Sequence, residues 1–395
     1  MTSAPKAHGL DGSLVEPDWT PLALDEVRSL LRQFPAIAEP TAILSVSPRP
    51  FSAASVIQTQ TSRVFIKRHH RSVRDKEGLL EEHRFLAHLH AHGAPVPRVL
   101  GNSSGQTAIE LAHWTYEVHE IPSGIDLYQD ALSWTPFQSP SHAYSAGQAL
   151  ARLHQASQSF TAPSRQERPL VASFTIFAAP DPAEEINHYL AARPALNNDP
   201  VARTACDQAF ELLAPFHAEL QPLLPSLPSL WTHNDLHASN LFWSDPSPNA
   251  HATAIIDFGL ADHTNPVHDI AHAIERNIVE WLALTQDAAH DNAVPIHLDH
   301  LQAFLAGYES IRQLSSEEAA ALAPMAALCH AEFALTEADY FLSVLHSPEK
   351  ACLATEGYLV AHARWYRSLR GQALLNALRT WASTRPHHSH GAQLA

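Results

Sequence analysis

The chain has 395 residues, 45% of them hydrophobic and 17% charged. That is enough apolar surface for two to three domains' worth of core, and it excludes a disordered chain. Lysine and arginine number 25 against 41 aspartates and glutamates, a net charge of −16 with histidine neutral, which excludes a nucleic-acid binder dependent on a basic face. Glycine is scarce at 13 residues and histidine abundant at 28, so a glycine-rich phosphate loop is not to be assumed.

Residues 1–20 are mixed and polar and read as a loose leader. Leu24, Val27, Leu30, Leu31 and Phe34 fall on one helical stripe. Segments 42–47, 55–60 and 63–67 have strand character, and a helix over 76–91 ends before His92-Gly93 and two prolines that forbid continuation. Strands at 106–111 and 115–121 stop at Pro122-Ser123-Gly124. Residues 21–121 therefore form a small β-rich lobe with one long helix. Beyond it, 143–159, 183–192, 201–220, 268–285, 297–312, 316–346 and 353–383 read as helices, with short strands and loops at 230–262. The expected architecture is α+β: an N-terminal lobe, a larger helical lobe over 122–385, a cleft between them, and a flexible histidine-rich tail at 386–395.

Cys206, Cys329 and Cys352 lack zinc-ligand spacing and leave one unpaired in any disulfide scheme. They read as ordinary thiols. No stretch approaches eighteen uninterrupted apolar residues, and the first residues lack the apolar core of a signal peptide. The expectation is a cytoplasmic protein with no membrane or nucleic-acid partner.

The informative segment holds His233-Asn234-Asp235, then Asn240, then the apolar run Ala254-Ile255-Ile256 leading into Asp257-Phe258-Gly259. Phosphoryl transfer needs a group that orients a hydroxyl and accepts its proton, and hard oxygen ligands that hold magnesium against a triphosphate. H-x-D-x-x-x-x-N and D-F-G together, 17 residues from Asn240 to Asp257, supply that set. Upstream, Lys67 ends the strand RVFIK, and Leu79, Glu82, Leu86 and Leu89 share one helical stripe. Glu82 is thus a carboxylate on an apolar face that demands a partner, Lys67 being the candidate. Glu81 lies off the stripe and reads as solvated.

These segments, with Asn265-Pro266, His268-Asp269-Ile270-Ala271, the run from Glu82 into GAPVPRVL, and Leu150-Ala151-Arg152-Leu153-His154, resemble the aminoglycoside phosphotransferase and choline kinase family. The resemblance spans about residues 40 to 340. It implies a bilobal protein-kinase-like fold that phosphorylates hydroxyls of small molecules from ATP or GTP with Mg2+. By that likeness Asp235 is the catalytic base, Asn240 and Asp257 are the magnesium ligands, Lys67 meets the phosphates and Glu82 steadies it. Backbone groups near His119–Ile121 would meet the purine.

Two features depart from the family pattern. The turn from Ser47 to Ser55 has no glycine, so Ser52 and Ser55 become the candidate phosphate contacts. Asn234 stands where glycine is frequent, and asparagine tolerates unusual backbone angles. His233 is expected to order the loop by hydrogen bonds, His154 to be packed, and Asp269 to cap the start of a helix. Only nine residues separate Gly259 from Asp269, too few for an activation segment ending in A-P-E, which favours a small-molecule acceptor over a polypeptide. Glu332 and Asp339, seven apart, share a face that would suit an amine-bearing acceptor or else be solvated. The alternatives are a kinase-shaped nucleotide-binding module without transfer activity and a compact protein kinase.

Overall fold

The computed structural model describes residues 7–8, 14–285 and 287–385; the histidine-rich tail expected at 386–395 lies outside them. Strand β1 (Ala7–His8) pairs antiparallel with β2 (Leu14–Val15). The end of the expected leader is not loose. Asp18 accepts hydrogen bonds from Tyr340 at 3.0 Å and from Lys350, Trp19 stacks on His70 with ring centroids 4.9 Å apart, and Arg68 donates to the Thr20 carbonyl.

Helix α1 (Leu24–Leu31) precedes β3 (Pro40–Val46), β4 (Ala53–Thr59) and β5 (Arg63–His70); α2 (Lys76–Ala91) follows, then β6 (Ile109–Leu111) and β7 (Trp114–Glu120). The strands form one antiparallel sheet in the order β3-β4-β5-β7-β6. Side chains alternate across it. Ile57, Ile66 and Val118 pack with Val27, Leu30 and Phe34 of the α1 segment. Ile66 pairs with Val118 and Lys67 with Glu117 in register, so the two charged residues share the opposite face. Asp75 caps α2 by accepting from Gly78 N at 2.7 Å, and the helix buries Leu79, Glu82, Phe85, Leu86 and Leu89. Glu81 is paired, not solvated: Arg168 Nη1 lies 3.0 Å from its carboxylate.

The second lobe runs α3 (Pro140–Ser157), α4 (Pro182–Ala191), α5 (Pro194–Asn198), α6 (Pro200–Leu220), β8 (Leu230–Thr232), β9 (Leu241–Trp243), β10 (Ala252–Ile255), β11 (Asp262–Thr264), α7 (Pro266–Ile278), α8 (Leu298–Glu309), α9 (Ser316–Leu328), α10 (His330–Ser343) and α11 (Pro348–Cys352). A π-helical turn, Leu353–Val360, then leads into α12 (Ala361–Arg367) and α13 (Leu369–Thr384). Many starts follow one device, a side-chain cap before proline: Ser139-Pro140, Asp181-Pro182, Asp199-Pro200, Asn265-Pro266 and Ser347-Pro348. The helix expected over 353–383 is broken at Ser368, which is extended and caps the next helix through Gly371 N at 3.1 Å. The two five-residue helices α5 and α11 are too short to show a period. Ser316–Ser343 is long and apolar enough to cross a bilayer, but 94% of its window is buried inside the protein, as in a core helix.

Helices α3 and α8 cross at backbone contact. A Cβ on Gly147 would meet the Phe304 carbonyl oxygen at 2.1 Å, and one on Gly307 would meet the Tyr144 carbonyl oxygen at 2.0 Å. Gly147→Ala should therefore destabilise the protein by about 1–3 kcal/mol through overpacking. A lowered urea midpoint with an unchanged slope checks this; an unshifted midpoint would mean the crossing relaxes freely.

Candidate active site

Strand β8 delivers the chain into His233-Asn234-Asp235, and its partner β11 brings the start of α7 alongside. Asp269, fully buried in the first turn of α7, accepts from His233 N and Asn234 N, both at 2.8 Å, and lies 2.9 Å from His154 Nε2. The cap of α7 is Asn265, which accepts from His268 N at 2.9 Å. Asp269 thus caps amides of the 233–235 loop and not its own helix, a correction to the sequence expectation. Asn234 takes φ 62°, and its side chain accepts from Thr232 Oγ1 at 2.8 Å and donates to the Leu260 carbonyl at 3.1 Å. Glycine would supply the angle without those bonds.

His233 orders the loop as expected. Its Nδ1 accepts from Asp235 N at 3.2 Å, which places the proton on Nε2, donated to the Ile256 carbonyl at 2.9 Å. Asn240 Nδ2 donates to the Asp235 carbonyl at 2.9 Å, and Ile256 N donates to the Asn240 carbonyl at 2.9 Å. The two loops are therefore tied to each other, and Asp235, Asn240 and Asp257 line one cleft.

Desolvation in the cleft pushes the Asp235 carboxyl up to about 6, against the pull of Arg276, whose Nε lies 3.2 Å from Oδ1. Asp257, at φ 60°, accepts from Lys67 Nζ at 2.8 Å. Against the same desolvation, the ammonium holds Asp257 well below the usual carboxylate range. Lys67 is raised in turn, burial being outweighed by Asp257, Glu117 and Glu82 in that order. Its ion pair goes to Asp257; Glu82 is buried within reach of its charge without forming one. Glu117, fully buried, receives His69, His83 and His119 at 2.9, 2.9 and 2.8 Å.

The remaining candidates are less exposed to the cleft. Ser55 is buried inside β4 with its hydroxyl unpartnered, and Ser52 is half-buried just before that strand. His119 lies in β7 on Glu117, and Ile121 directly follows the strand. What the glycine-free turn sends into the cleft is Arg49, whose guanidinium donates to Ser133 Oγ and Ser239 Oγ, both at 2.7 Å. Sequence reasoning missed it by asking only for glycine or hydroxyl contacts in that turn.

Glu332 and Asp339 do not line the cleft, nor are they solvated. Glu332 accepts from the backbone amides of Thr175 and Ile176, and both carboxylates are buried. Phe333 and Glu337, four apart on the neighbouring stripe of α10, line it instead. Arg276 was also missed, although an Arg beside Glu275 inside the apolar run of α7 is a readable signal of a buried pair.

Asn240 commits its amide nitrogen to the loop, which leaves its side-chain carbonyl oxygen as a ligand atom in the cleft that the Asp257 carboxylate also lines. That pair of hard oxygens fits Mg2+.

Residues 50–314 match the sequence model of the phosphotransferase enzyme family. A search of curated protein sequences finds no match. Among solved structures, a microcompartment-associated aminopropanol kinase is 17% identical with a TM-score of 0.57, covering 90% of this chain and 98% of that one. A choline/ethanolamine kinase family protein from Mesorhizobium loti is 16% identical with a TM-score of 0.52, covering 90% and 99%. An aminoglycoside phosphotransferase from Alicyclobacillus acidocaldarius is 18% identical with a TM-score of 0.50, covering 92% and 98%. These likenesses establish the kinase-like bilobal fold.

Asp269→Ala would leave the His233 and Asn234 amides and His154 without their buried acceptor, at a cost of about 3–5 kcal/mol. Hydrogen exchange should speed up first at those two amides. Unchanged protection there would show that the loop holds its shape without the carboxylate.

Proposed function

Since the chain belongs to the phosphotransferase enzyme family, we propose that it transfers the γ-phosphate of ATP, or of GTP, to a hydroxyl of a small molecule. Amino sugars, amino alcohols, amino acids and related metabolites are the acceptor classes. The observation that carries this reading is the convergence of Asp235, Asn240 and Asp257 on one cleft, with Lys67 held on Asp257.

In the proposed step Asp235 orients the acceptor hydroxyl and takes its proton as the oxygen attacks the γ-phosphorus. The bond from that phosphorus to the β–γ bridging oxygen breaks, and ADP leaves. A carboxyl raised to about 6 is ionised at neutral pH, yet basic enough to accept a proton as the hydroxyl reacts. Asn240 and Asp257 would hold Mg2+, which neutralises phosphate charge when bound. Lys67 is placed to exchange its Asp257 contact for phosphate oxygens. Glu82 and Glu117 supply the negative charge that keeps it an ammonium. Arg49, from the turn where glycine is missing, offers a second cation at the phosphate side, while Ser52 and Ser55 remain the hydroxyl candidates there. The end of β7 at His119–Ile121 offers backbone groups to the purine.

The polypeptide-acceptor reading is disfavoured by the chain after Gly259, where β11 and α7 follow at once and α7 begins at Pro266. The binding-module reading is disfavoured by the retention of a base, two metal ligands and a lysine together.

Asp235→Asn and Asp257→Ala should each lower kcat by at least about 10²-fold while circular dichroism and thermal unfolding stay close to the parent. Unaltered turnover in either would end the assignment. The base must be unprotonated, so kcat/KM should rise with pH through about 6 and level off above it. A profile flat from pH 5 to 8 would exclude Asp235 as the group that titrates.

A further inference from the structure

Two buried polar atoms in the walls of the cleft, one on Arg276 and one on Glu337, have no hydrogen-bond partner among the described residues. Arg276 is fully buried. Its Nε faces Asp235 Oδ1 at 3.2 Å, and its Nη1 donates to Tyr358 Oη at 2.8 Å and lies 3.2 Å from Glu275. Its Nη2 has no hydrogen-bond partner among the described residues. Nε–H and Nη2–H share one edge of a planar guanidinium, so this free donor points to the same side as the bond to Asp235. Glu337, 1% exposed, has an unpartnered Oε2. Both residues line the cleft with Trp134 and Phe333. The guanidinium carbon sits 4.5 Å from the Phe333 ring centre and 5.2 Å from that of Trp134, which fixes it between two aromatic faces.

Leaving a buried polar atom without a partner is expensive even where the group's charge is paired, as that of Arg276 is with Asp235 and Glu275. Arg276 and Glu337 act on each other electrostatically without forming an ion pair, so neither satisfies the other. The chemistry that satisfies both is a ligand carrying an ammonium for Glu337 and a carboxylate for Arg276. Burial keeps the Glu337 carboxyl up at about 8, and an arriving ammonium would ionise it.

We propose that the acceptor is a hydroxyl-bearing amino acid, held as its zwitterion with the ammonium on Glu337 and the carboxylate on Arg276 Nη2. This rests on the transferase reading above and narrows its acceptor class.

The test is ADP release by the full chain with Mg-ATP across matched acceptors. These are serine, homoserine and hydroxylysine; ethanolamine and aminopropanol, which lack the carboxylate; glycolate and hydroxybutyrate, which lack the amine; and an aminoglycoside. The best hydroxy amino acid should exceed its matched amino alcohol and hydroxy acid by at least about tenfold in kcat/KM. Glu337→Gln should raise the KM for that amino acid about tenfold or more with kcat changed far less. Equal or better turnover of an amino alcohol, a hydroxy acid or the aminoglycoside overturns the zwitterion assignment and leaves the transferase reading standing. Absence of phosphorylation on every acceptor removes the transferase reading, and this inference with it.

Discussion

The loop 233–235 depends on a carboxylate that does not enter the cleft. Asp269 takes two successive backbone amides, His233 N and Asn234 N, and an imidazole, His154, in a fully buried position. Two adjacent amides can converge on one carboxylate only if the chain turns sharply there, and the positive φ of Asn234 is that turn. Asp235 is the next residue, so its aim into the cleft follows from the turn. His154 also bonds Tyr308 Oη at 2.7 Å, which extends the constraint from the loop through α7 and α3 to α8. Burial opposes the charge on Asp269, but His154 and the amides hold its carboxyl below the usual range. A depressed carboxylate stabilises the fold above its ordinary pKa and loses that contribution as pH falls, so the loop is fastened most firmly near neutrality.

The same chemistry employs five of the 28 histidines. Glu117 is met by His69, His83 and His119, Glu275 by His362, and Asp269 by His154. Each is a buried acid whose charge must be answered inside an apolar lobe. An imidazole N–H does this without bringing a second obligatory charge out of water, whereas a lysine would. With 41 acids against 25 lysines and arginines, histidine supplies the donors that strong bases do not. Lys67 and Arg276 are placed where a fixed positive charge has a further use, beside Asp257 and Asp235.

Long periodic segments and fixed-spacing motifs were legible in the sequence, and side-chain partnerships across the fold were not. The sheet, the long helix and most helices of the second lobe follow from period, caps and proline. The site motif was legible because Asp235, Asn240 and Asp257 lie within one short stretch, where local spacing decides which side chains meet. Arg49, Glu117, Arg276 and Glu337 come from four separate elements, and only packing brings them to the cleft or behind Lys67. The heptad spacing of Glu332 and Asp339 was read correctly as one face. The choice of face was wrong by a residue, because burial on α10 is nearly all-round and leaves no polar stripe to mark the cleft side. Asp269 was misassigned for a related reason: capping chemistry is visible in sequence, but which amides are capped depends on β8 lying against β11.

Among the contacts that join the lobes, Lys67 to Asp257 and Glu81 to Arg168 included, two stand on opposite sides of the cleft. On one side Asp18 bonds Tyr340 and Lys350 of the helical lobe, while its neighbours Trp19 and Thr20 are held by His70 and Arg68 at the end of β5. On the other, Arg49 of the first lobe reaches Ser133 and Ser239 of the second. Any motion that widens the cleft must stretch one or both. The hydroxyls of Ser133 and Ser239 are neutral, weaker partners for a guanidinium than phosphate oxygens. In the proposed reaction a nucleotide entering that side would offer Arg49 a stronger partner than either serine.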